Sequence, residues 1–193
     1  MQVLPFCSIE EAKANALALC RALEFYAVCI PGPEGGAPID VGLQRTQGLM
    51  AKALGYVRWE DLVSSLAAGA QVMYLDMGAD RDAAHRALAT SFARCLGTAD
   101  VVDNIERAMS LSAFGCTLKM RKEACRQLDS FPCKTVDQWQ RLVTLQAGSA
   151  YVSRYNRGRS AYEIDILEWE YKKNVAEVLG TKPPRKPRKH KVS

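Results

Sequence analysis

Three capping boxes fix where this chain can begin its helices. They read Ser8-Ile-Glu-Glu11, Thr135-Val-Asp-Gln138 and Ser160-Ala-Tyr-Glu163. In each, the hydroxyl can accept from the backbone amide three residues on, while the Glu or Gln reaches back to the cap. Behind the first box, Ala16, Leu19, Cys20 and Leu23 form one stripe, so the spacing predicts a helix over 9–29. The run PGPEGGAP at 31–38 ends it, because proline removes donors and glycine loosens the backbone. Asp40 is a candidate cap for a second helix through Leu49, Met50, Ala53 and Leu54, stopped by Gly55. A short third helix carries Trp59, Leu62, Val63 and Leu66. The stretch QVMYLDM at 71–77 reads equally as strand or as irregular packing.

The second half is punctuated in the same way. Asp80 precedes a helix over 81–96 that ends at Gly97, and Thr98 precedes one over about 99–114 that ends at Gly115. Thr117 opens a basic helix from Lys119 to about Asp129, stopped before Pro132. The Thr135 box opens a helix expected to end near Gly148. The Ser160 box opens one ending at Gly180, with Ile164, Leu167, Tyr171, Val175 and Val178 on one stripe. Seven or eight short helices with brief connections predict an all-α compact bundle. The expected division is a helical, αα-hairpin-like module over 1–70, a helical domain over 71–180 packed on it, and a disordered basic tail over 181–193.

Several chemistries are excluded by what is missing. No apolar run approaches the ~20 residues a membrane helix needs, and no basic-then-apolar leader opens the chain, so a cytoplasmic protein without membrane contact is expected. The seven cysteines are odd in number and scattered, which reads as reduced thiols and not as a disulfide framework. Cys116, Cys125 and Cys133 lack zinc-site spacing. PGPEGG lacks the Lys-Ser/Thr of a phosphate loop. His85 has no partner for nucleophilic catalysis, since Cys95 lies ten residues away, nearly three turns along a straight helix. It reads as a partly exposed helix histidine. No catalytic or metal constellation is visible, so a non-enzyme without cofactor is expected.

Residues 9–62 carry a layout of their own. Ala12-Lys13-x-x-Ala16-x-x-Leu19-x-x-x-Leu23 is followed by Gln47-x-x-Met50-Ala51-x-x-Leu54-Gly55-Tyr56-x-x-Trp59-x-x-Leu62. This resembles the small helical module called glyoxalase-related, found in bacterial and plasmid-borne proteins. Glu60 stands where that module usually has an uncharged polar residue, and the loop 31–40 is longer. The resemblance implies a bacterial mobile-element setting and no particular activity. A glyoxalase-type metal site needs several His and Glu ligands, and the two histidines here are His85 and His190. A structural αα-hairpin stands ahead of a helix–turn–helix DNA reader at 43–66: Glu60 and Asp61 outnumber Arg58 on the second helix, where base edges call for cationic or amide side chains.

Charge gives the functional reading. The tail TKPPRKPRKHKVS holds six Lys/Arg and no acid, against a whole-chain formal charge of +5. Residues 1–116 carry 9 basic against 13 acidic residues, −4, and residues 117–180 carry 11 against 8, +3. Prolines 183, 184 and 187 hold the tail extended. The candidate phosphate-binding residues are Lys182, Arg185, Lys186, Arg188, Lys189 and Lys191 of the tail, Arg154, Arg157 and Arg159 among Tyr151 and Tyr155, and Lys119, Arg121 and Lys122 on the basic helix. The function expected is a non-enzymatic nucleic-acid-associated accessory or regulatory factor that binds phosphates non-specifically. The alternative is an inhibitor or adaptor that meets a protein partner through the acidic N-terminal half.

Overall fold

Ser8 caps the first helix as its spacing requires: its hydroxyl accepts from the Glu11 amide at 3.1 Å. The computed structural model describes residues 3–30, 39–78, 80–154 and 160–187, with backbone alone for 30, 39 and 147–154. Eight α-helices lie among them, with only two-residue strands beside them, so the chain is all-α. It divides into two compact units, Met1–Phe131 and Pro132–Ser193.

The first unit runs β1 (Val3–Leu4), α1 (Ile9–Phe25), β2 (Cys29–Ile30), β3 (Ile39–Asp40), α2 (Leu43–Ala53), α3 (Trp59–Ala67), β4 (Gln71–Val72), a 3-10 turn (Leu75–Met77), α4 (Arg81–Leu96), α5 (Val102–Leu111) and α6 (Leu118–Ser130). Helix α1 packs against α2, α3 and α5, and α4 packs against α2 and α5. Leu19, Leu23, Met50, Leu62, Phe92, Ile105 and Met109 fill the space between them, each almost completely buried. Phe6 meets Phe114 edge-on at 5.7 Å. The seam expected near residue 70 runs through this unit. β1 and β4 form a parallel ladder that pairs Val3 with Gln71 and Leu4 with Val72, and α2 shares its core with α4. A ladder and a common core across that position leave no domain boundary there. QVMYLDM resolves into β4 and the 3-10 turn.

Several boundaries differ from the sequence reading, each for a local reason. α1 stops at Phe25 and not at 29, because Ala27 takes a left-handed conformation (φ 51°). The Val28 amide then bonds the Leu23 carbonyl at 2.9 Å and the Ala27 amide bonds Glu24 at 3.0 Å, closing a Schellman motif without glycine. α5 ends in the same way at Ala113 (φ 48°), not at Gly115, and it begins at Val102. Gly115 has another task. A Cβ there would lie 2.9 Å from both Pro5 and Leu75, and its φ is +68°. Asp40 belongs to β3, paired with Cys29, so Gly42 takes the N-cap of α2. Gly55 stops α2 as expected, with φ 88°.

The second unit contains α7 (Val136–Arg154) and α8 (Ala161–Leu179), which pack on each other. α7 runs through Gly148, the residue expected to end it. One interior glycine costs about 1 kcal/mol relative to alanine, too little to stop a 19-residue helix. Ser160 and Glu163 complete the box that opens α8, and Gly180 closes it with φ 65°. The Thr135 box forms with a one-residue shift, Gln138 accepting from the Lys134 amide at 2.8 Å. No helix among the described residues is long and apolar enough to cross a membrane.

Candidate nucleic-acid interface

The candidate cations separate into three groups. Arg121 leaves the set altogether. It is 8% exposed, its Nε–H donates to the Cys116 carbonyl at 3.1 Å, and its guanidinium is paired with Glu11. On α6, Arg121, Ala124 and Leu128 share a buried stripe at i, i+3 and i+7, while Lys119, Lys122 and Arg126 face solvent. That spacing was readable in the sequence. Counting Lys119, Arg121 and Lys122 together as candidates on one basic helix concealed it.

Glu11 is the centre of a buried polar cluster in the first unit. Its carboxylate accepts from the Cys7 amide at 2.6 Å and from the Tyr74 hydroxyl at 3.1 Å, besides Arg121. Burial pushes its pKa up, but the Cys7 hydrogen bonds, the Arg121 charge and Tyr74 outweigh that, and the carboxyl lies below its ordinary value. A hydrogen bond with Cys7, burial and the Glu11 charge push the Tyr74 phenol up. Asn15 extends the cluster, accepting from the Gly115 amide at 2.8 Å and donating to the Glu11 carbonyl at 2.9 Å. This cluster ties α1 to α6 and to the segments around residues 74 and 115, and no buried side-chain nitrogen or oxygen among the described residues lacks a hydrogen-bond partner.

Arg157, Arg159, Arg188, Lys189 and Lys191 lie outside the described residues, as does the side chain of Arg154. Lys119 and Lys122 are exposed on α6 of the first unit, and Arg126 there is paired with Glu123 at 2.8 Å. Lys182, Arg185 and Lys186 are exposed in the second unit, on a tail root that has no regular secondary structure from Thr181 to Pro187.

What the sequence reading missed is Trp169. Its Nε1–H donates to the Pro184 carbonyl at 2.9 Å and fixes the tail root against α8. The Lys186 ammonium stands 5.5 Å from the ring centroid and that of Lys173 5.7 Å from it, both within cation–π range. Lys172 pairs with Glu168 at 2.7 Å and holds that carboxyl below the usual range. The signal was an aromatic off the stripe: Trp169 lies two residues from both Leu167 and Tyr171, on the opposite side of the helix.

His85 is buried, 1% exposed, where a partly exposed residue was expected. Its Nε2 bonds the Phe114 carbonyl at 2.9 Å and its Nδ1 lies 3.4 Å from the Ser110 hydroxyl. Burial pulls its pKa down, so the ring is neutral, with Nε2 the donor. All seven cysteines are free, and burial raises the Cys116 thiol to about 11. Among the described residues no three His, Cys, Asp or Glu side chains are placed to hold a metal ion.

The fold and surface thus define a class: an all-α protein whose net positive charge lies in its C-terminal unit. Unit 132–193 carries 13 basic against 6 acidic residues, +7, and unit 1–131 carries 13 against 15, −2. Compared with known proteins, the chain matches no family model, no curated protein and no solved structure.

Proposed function

We propose that this protein is a nucleic-acid-associated accessory factor of a bacterial mobile element that contacts phosphates through its second unit. The observation that supports this reading best is the coincidence of charge and architecture. Each compact unit carries 13 Lys and Arg, but their net charges are −2 and +7, so the excess of cations over acids lies in the second unit and its tail. Lys182, Arg185 and Lys186 are exposed and form no salt bridge among the described residues, which leaves their charges to meet phosphate oxygens. The first unit would supply shape and stability.

The acidic first half offers less to a protein partner than its composition suggests. Asp103 and Glu106 both pair with Arg86, and Asp82 pairs with Arg81. These acids line a groove of about 560 Å³ together with Arg107 and Ser110, so its charge is largely compensated.

The test is anisotropy of a labelled 20-base-pair DNA against salt. If all six tail cations displace counterions, log affinity falls against log salt with a slope of about −5. A full-length variant with Lys182, Arg185, Lys186, Arg188, Lys189 and Lys191 changed to Gln should lose most of that slope. Weak binding that is equal in both proteins refutes the reading.

A further inference from the structure

Phosphate binding by the tail leaves one feature of the second unit without a use: an indole on the polar side of α8 with cations over its ring. Trp169 borders a groove of about 290 Å³ lined also by Asp165, Glu168, Lys172, Arg185 and two prolines of the tail root. Lys172, Lys173, Arg185 and Lys186 surround the ring against Asp165 and Glu168, and Lys172 already neutralises Glu168. The neighbourhood is therefore cationic, and the half-buried indole at its centre carries two flexible ammonium groups over its ring.

We propose that Trp169 is the stacking platform of a single-strand nucleic-acid site, with Lys173, Arg185 and Lys186 as the phosphate contacts beside it. The proposal rests on the nucleic-acid reading above and specifies the kind of strand. A base stacked on an aromatic side chain is worth about 5- to 150-fold in affinity. An exposed cation–π contact is worth roughly 2- to 5-fold, so a base displaces the lysine and gains. The displaced Lys186 or Lys173 is then beside the backbone of the same strand, where its charge pairs with phosphate. Bases inside a duplex already stack on one another and must be unstacked to reach the indole. The Nε1–H bond to Pro184 sets the ring's orientation and holds Arg185 and Lys186 next to it.

The experiment uses the full-length protein and fluorescein-labelled oligonucleotides, a 12-nucleotide oligo-dT and a 12-base-pair duplex, in parallel salt titrations. Trp169→Ala should weaken single-strand binding about 5- to 150-fold with its salt slope unchanged, and should leave duplex binding within about twofold. Trp169→Phe keeps a stacking face and loses the indole N–H, so it should retain most of the single-strand affinity. The pair Lys173→Gln and Lys186→Gln should lessen the single-strand slope by about 1.4. Single-strand binding indifferent to Trp169→Ala overturns the proposal, as does an equal loss for both nucleic acids. Trp169→Phe as weak as Trp169→Ala also overturns it, because the indole then serves only to clip the tail. If neither oligonucleotide binds with salt dependence, the broader nucleic-acid reading fails along with it.

Discussion

Replacing Arg121 by Met separates a cation that holds the fold together from one that meets a partner. Arg121 and Glu11 are both 8% exposed, and the guanidinium lies against the carboxylate. Methionine keeps the stem volume and removes the charge, leaving Glu11 buried with only the Cys7 amide and the Tyr74 hydroxyl. Removing one partner of a buried pair costs about 3–5 kcal/mol, whereas an exposed lysine on the same helix costs within about 0.5. At about 4 °C per kcal/mol for a unit of this size, the melting midpoint should fall by about 12–20 °C. Thermal melts by circular dichroism and urea titrations of Arg121→Met, with Lys122→Met as control, read this directly. The double variant Glu11→Gln with Arg121→Met should recover to within about 1–2 kcal/mol of the parent, since no buried charge remains. An Arg121→Met protein as stable as Lys122→Met, or a double variant no better than the single, would refute the buried-pair argument. The same protein should show an unchanged salt slope with DNA, because this guanidinium contacts no phosphate.

The glycine and alanine turns make a second set of tests. Gly115→Ala should destabilise by about 2–4 kcal/mol, from contact with Pro5 and Leu75 on top of its positive φ, while Gly97→Ala, with open space around it, should cost about 1 kcal/mol in the same urea titration. Ala27→Gly should stabilise by about 1 kcal/mol by relieving a left-handed alanine, and a lower urea midpoint would count against the Schellman assignment. The folded pKa of His85 is lowered by burial, so its contribution is full above the unfolded value near 6.5 and is lost as pH falls through the folded value. Urea midpoints should therefore drop as pH falls below about 6.5, and His85→Gln should flatten that drop. Glu11, also lowered, adds a further loss below about 4.5 that Glu11→Gln removes.

Local chemistry was legible where one residue decides it. Ser8, Asp80 and Ser160 start helices because a side-chain oxygen reaches an amide three residues on, a contact written wholly in the sequence. Gly55, Gly97 and Gly180 stop them for an equally local reason. The failures came where a distant residue voted. Ala27 and Ala113 end helices that no glycine marks, and their strain is borne by the surrounding core. Asp40 lost its capping role to a strand partner eleven residues back.

The candidate site shows the same division. The excess of charge in the last third of the chain could be counted from the residues alone. Which cations are available could not. Arg121 was removed by a carboxylate 110 residues away, and that pairing exists only once α1 and α6 are brought together. Trp169 was overlooked because Pro184 and Lys186 reach it only once the tail root folds back on α8; Lys173, one turn along the same helix, is its local partner. By itself the sequence determined the helical class, most helix starts and the sign of each region's charge, since these follow from neighbours within about one turn. The tertiary structure alone decided which charges are buried, which face the solvent, and where the chain divides. Those outcomes depend on contacts between residues far apart in sequence, and no local pattern encodes them.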